Sequence, residues 1–156
     1  MILHRVSITR ATLAALCLGL LGAAAVNAAD ARDLKPLYTG ATFSTTVPDF
    51  EVAEASLTIN SRGTRGFTGV FNDGGWTFAV SGGVGSNGRA VFLGSFIDAA
   101  EGTSLQIRGE GQLSVLGNVI VGSASEIGRL EGRAFRDVIT YVVSTEFKGG
   151  GAPKRK

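Results

Sequence analysis

Apolar residues recur at every second position in six separate stretches of this chain. They are Leu57 and Ile59; Phe67, Gly69 and Phe71; Trp76, Phe78 and Val80; Phe92, Gly94 and Phe96; Leu105 and Ile107; and Ile139, Tyr141 and Val143. A period of two puts every one of those side chains on one face of a strand, and it is incompatible with the 3.6-residue period of an amphipathic helix. The gaps carry turn chemistry. Asn72-Asp73-Gly74-Gly75 and Asn87-Gly88 supply residues that accept the positive φ of tight hairpins, and Asp98 to Gly102 makes a longer connection. Short strands joined by short turns fold as an antiparallel meander. The segment from Asp49 to Ala55, following Pro48, is the modest helical candidate.

A repeat lies within the meander. Phe67-x-Gly69-x-Phe71-x-Asp73 and Phe92-x-Gly94-x-Phe96-x-Asp98 share the pattern F-x-G-x-F-x-D, and a fainter copy runs through Leu130, Gly132, Phe135 and Asp137. Each copy is a strand whose Phe side chains share a face, with a glycine between them. Glycine weakens a strand, so its repeated use points to bends where a sheet curls or another backbone comes close. A sheet that curls repeatedly closes into a barrel and loses its exposed edges. A β-solenoid is the competing arrangement, but it calls for a stricter period over three or more repeats. The repeated Asp73 and Asp98 read as turn caps, because neither sits in the D-x-D-x-D-G run of a calcium loop.

The first 28 residues have the layout of a cleavable signal peptide: basic Arg5 and Arg10, an uncharged Ala- and Leu-rich run from Ala11 to Val26, and the small-residue site Val26-Asn27-Ala28. The run is shorter than the ~20 apolar residues that span a bilayer. Cys17 follows Leu16 where a lipobox places a small residue, and there is no twin-Arg pair. This reading divides the chain into a signal peptide at 1–28, a barrel domain at 29–148 and a flexible basic tail at 149–156, and it expects a periplasmic or extracellular protein with no transmembrane anchor after processing.

Cleavage after Ala28 leaves 128 residues that contain no Cys, His or Met. Thiol nucleophiles, disulfides, Cys/His zinc sites and Ser-His-Asp triads are thereby excluded, and neither a metal nor a cofactor is expected. The remaining charge is 13 basic against 13 acidic residues, three of the positives being Lys154, Arg155 and Lys156. Without that tail the body has 10 basic against 13 acidic residues, which is not the footprint of a nucleic-acid binder. Strand signals of five to seven residues fall short of the ~9–11 that cross an outer membrane.

From Phe96 to Gly132 the sequence resembles a family. Phe96-x-Asp98 followed by Gly102-Thr103-Ser104-Leu105-Gln106-Ile107-Arg108-Gly109 is similar to the dirigent-protein stretch F-x-D-G-x-x-x-G-S-T-L-x-V-x-G. Val121-Gly122-Ser123-Ala124-Ser125-Glu126-Ile127 and Gly132 fall at the spacing of that family's V-G-G-T-G-x-F-x-x-A-R-G, and the related allene oxide cyclases have a similar segment. The resemblance implies an antiparallel up-and-down barrel of about eight strands whose apolar interior holds a small hydrophobic ligand. The family's two glycines and arginine are replaced here by Ser123, Ser125 and Glu131, so the barrel carries over and the reaction does not.

Two functions follow as expectations. One is a barrel that binds or confines a small apolar molecule, with Trp76, Phe78, Phe92, Phe96, Arg108 and Tyr141 as pocket candidates. If it were a cyclase, acid and base would come from Arg108, Glu110, Arg133 and Asp137. The alternative is a non-enzymatic exported structural or interaction module, since rings at period two also fill barrel cores.

Overall fold

The computed structural model describes residues 30–46, 52–64 and 66–146. The expected signal peptide, the basic tail and residues 49–51 of the helical candidate lie outside them. The rest of that candidate is not helical: Val52 to Ala55 open a strand, with Ala53 and Ala55 facing inward. The described helix is a single 3-10 turn, Ala31–Asp33, capped by the Asp30 side chain.

Eight strands follow: β1 (Leu37–Ser44), β2 (Val52–Arg62), β3 (Phe67–Asp73), β4 (Trp76–Val84), β5 (Arg89–Asp98), β6 (Thr103–Leu113), β7 (Val119–Leu130) and β8 (Arg133–Ser144). Each pairs antiparallel with the next, and β8 pairs antiparallel with β1, from Thr39↔Ser144 to Ser44↔Ile139, which closes the barrel. The meander and barrel expected from the alternation are therefore observed, and closure leaves no edge strand. The β2–β3 register shifts between Ile59 and Ser61, a bulge that tightens the curl.

Strands of 7 to 12 residues are longer than the sequence signals suggested, so length does not separate this barrel from a membrane-crossing one. Leu57, Phe71, Phe78, Ile107 and Ile139 point inward, while the outer wall mixes polar Ser56, Thr58, Asn72, Thr77, Gln106 and Thr140 with exposed Leu93, Ile97 and Ile127.

The interior is layered. At one end the 3-10 turn acts as a plug: Ala31 and Leu34 are buried, the Tyr38 hydroxyl donates to the Gly117 carbonyl at 2.7 Å, and the Arg62 guanidinium donates to the Leu34 carbonyl. In the middle Phe71, Phe92 and Tyr141 meet with centroids 5.6 to 6.0 Å apart. Glycine makes that layer possible. A methyl at Gly109 would overlap the Phe92 ring, and one at Gly111 would lie 2.6 Å from the Tyr141 hydroxyl, so these rings occupy space that other residues' side chains would fill.

Candidate functional site

The opposite end is the mouth, bounded by the β3–β4, β5–β6 and β7–β8 turns. Half-buried Trp76, Phe96 and Phe135 stand there above buried Phe78. Trp76 and Phe135 belong to β4 and β8, which lie on opposite sides of an eight-strand barrel, yet their centroids are 5.2 Å apart at an interplanar angle of 82°. The pair therefore reaches across the opening. Edge-to-face pairs of this kind contribute about 0.5–1.5 kcal/mol beyond their buried area. Phe78 and Phe96 make a second such contact at 6.3 Å.

Three buried carboxyl groups line the inner wall near this end: Asp73, Glu126 and Asp137, each at most 1% exposed. Asp73 accepts from the Thr42 hydroxyl. Asp137 accepts from Ser44 at 2.8 Å, from the Thr46 hydroxyl and from the Val138 backbone N–H at 2.7 Å. Glu126 and Asp137 are direct cross-strand partners on the inward face. Among the described residues no group of three or more His, Cys, Asp or Glu side chains is arranged to hold a metal ion. Around the mouth, among the described residues, stand seven carboxyls (Glu54, Asp73, Asp98, Glu101, Glu126, Glu131 and Asp137) and three guanidiniums (Arg129, Arg133 and Arg136), so acidic groups predominate at this end.

The six pocket candidates separate into three groups. Trp76, Phe78 and Phe96 come together at the mouth, whereas Phe92 and Tyr141 lie deeper, in the layer filled by rings. Arg108 requires a correction. It alternates with inward Ile107 and Gly109, so it projects from the outer wall and cannot line the interior. Of the acid–base candidates, Asp137 is inside, while Glu110 and Arg133 are exposed. Glu110 pairs with Arg89, whose guanidinium holds the carboxyl below its ordinary range. Burial, reinforced by the charge of Glu110, raises the Tyr141 phenol well above its usual value.

The two repeat aspartates diverge. Asp98 is the expected turn cap, accepting from Ala100 N–H at 3.0 Å and Glu101 N–H at 3.2 Å. Asp73 is instead an interior group held by Thr42. Sequence reasoning passed over Glu126 and Phe135 as site residues. The period-two rule would have placed Glu126 inside, in register with Ala124 and Ile120, had β7 been recognised.

Fold and site together define a small closed antiparallel barrel, plugged at one end and rimmed by aromatic rings at the other. No protein-family model and no curated protein matches the chain. Among solved structures it is similar to EF1p2_mFAP2b bound to DFHBI, with a TM-score of 0.54 and 10% identity, over 73% of this chain and 94% of that one. At that identity the likeness is one of fold.

Proposed function

We propose that this protein is exported and that its barrel binds a small hydrophobic molecule, neutral or cationic, at the aromatic mouth. The observation that carries the reading is the Trp76–Phe135 pair spanning the opening above buried Asp73, Glu126 and Asp137. An apolar rim with a few convergent polar groups is the usual composition of a small-molecule site. Rings that meet edge to face across an opening can part around a flat apolar guest, and the surrounding carboxyls favour a guest without negative charge. The structurally similar EF1p2_mFAP2b barrel was solved with DFHBI bound, which supports small-molecule binding by this architecture. The dirigent and allene oxide cyclase resemblance extends the reading to confinement of a reactive substrate, with the Asp137 and Glu126 carboxyls as the groups able to exchange a proton with it.

Trp76 is the single tryptophan, so its fluorescence reports on the mouth directly. Titration with an aromatic amine, a neutral aromatic and the matching aromatic acid should change Trp76 emission and raise Tm for the first two and not the third. Native mass spectrometry should show a small molecule travelling with protein purified from its source. No copurifying mass, together with no response to any probe, would leave the structural-module alternative. Export is tested by N-terminal sequencing of the purified protein: Ala29 as the first residue is expected, and a chain beginning at Met1 would refute it.

A further inference from the structure

The outer wall of β5, β6 and β7 is self-complementary. Outward side chains on β6 read Gln106, Arg108, Glu110 and Gln112, and on β7 they read Val121, Ser123, Ser125 and Ile127. The register aligns Val91, Glu110 and Ser123 in one row across the three strands and Leu93, Arg108 and Ser125 in the next. A two-fold axis lying in the surface, running across the strands between those rows, exchanges Arg108 with Glu110, Leu93 with Val91, Ser125 with Ser123 and Ile127 with Val121. Each of those exchanges is favourable: opposite charge meets opposite charge and apolar meets apolar.

Two further features fall on the same face. Leu93 is 57% exposed and Ile127 is 52% exposed on this wall. A depression of about 360 Å³ sits on the axis, bordered by Val91, Arg108, Glu110, Ser123 and Ser125 and floored by the backbone at the Gly109–Ala124 pair. It has room for the long Arg108 side chain of a facing copy.

We propose that two copies of this chain associate face to face through β5–β7, with Arg108 of each copy against Glu110 of the other. A patch three strands wide and four outward residues long covers roughly 14 by 25 Å, or about 700 Å² counted over both copies. That is smaller than a standard specific interface and corresponds to a weak, reversible dimer rather than an obligate one. The Arg89–Glu110 pair within each copy remains compatible with it, because a carboxylate accepts from two guanidiniums.

Sedimentation velocity of the purified protein from about 1 to 200 µM should show a concentration-dependent passage from monomer to dimer. Arg108→Glu and Glu110→Arg, each alone, place like charges opposite one another and should weaken the dimer by at least about tenfold. Mixed one to one, the two variants should regain association, because every facing pair across a heterodimer is then opposite in charge. Both positions are exposed, so circular dichroism should be unchanged. A wild-type protein that stays monomeric throughout, or a mixture as weakly associated as either variant alone, would overturn the proposal.

Discussion

Gly109→Ala tests whether the middle of the barrel is filled by its own rings. A methyl there points into the barrel and overlaps the Phe92 ring, which is 3% exposed and held between Phe71 and Tyr141. The ring cannot turn aside without displacing both neighbours, so the substitution overpacks a closed layer at about 1–3 kcal/mol. For a barrel of this length 1 kcal/mol moves Tm by roughly 4 °C, giving an expected fall of ~4–12 °C. Phe92→Leu alone opens space in the same layer and should cost roughly 1–2 kcal/mol. In the double variant the added methyl occupies space the ring has left. The combination should then cost no more than the worse single change, a coupling of about 1–2 kcal/mol. Urea unfolding followed by circular dichroism measures all four corners of the cycle. Additivity within about 0.5 kcal/mol, or a Gly109→Ala variant as stable as the parent, would refute the packing argument and reopen the interior as a cavity.

Tyr141→Phe removes a buried hydroxyl that has no hydrogen-bond partner among the described residues, and should leave the urea midpoint unchanged or raise stability by up to about 1 kcal/mol. Burial raises both phenols, Tyr38 and Tyr141, so the folded state holds their protons more tightly than the unfolded chain does. The stabilisation is therefore complete below the unfolded value of 10.0 and is lost as pH rises above it; absorbance at alkaline pH should show phenolate only as the protein unfolds. Asp137→Ala deprives Ser44, Thr46 and the Val138 N–H of their shared acceptor, and should cost about 2–3 kcal/mol by thermal denaturation. Glu131 sits at φ +50° beside Gly132 in the β7–β8 turn, so Glu131→Asn should raise stability by roughly 0.5–1 kcal/mol.

The strands read most easily from sequence were those whose inward residues are large. β3, β4, β5 and β8 announce themselves through Phe67 and Phe71, Trp76 and Phe78, Phe92 and Phe96, and Ile139 and Tyr141. β1 and β7 gave no apolar alternation, because their inward positions include Gly40, Thr42 and Ser44 in one and Gly122, Ala124 and Glu126 in the other. Those small and polar positions are functional in the fold. They face rings projecting from other strands or accept and donate the hydrogen bonds around Asp73 and Asp137.

From local pattern alone the chain was bound to form hairpins with one apolar face and to curl at its glycines, since side-chain alternation and turn conformation depend on near neighbours. Which end would be plugged, which aromatic rings would meet across the mouth, and that Asp73 would turn inward while its repeat partner Asp98 capped a turn were decided only when β8 paired with β1. The same holds for charge: acids and bases are interspersed along the strands, and their separation arises only when closure gathers seven carboxyls around one opening. These are relations between residues up to about a hundred positions apart, and they exist only in the closed barrel.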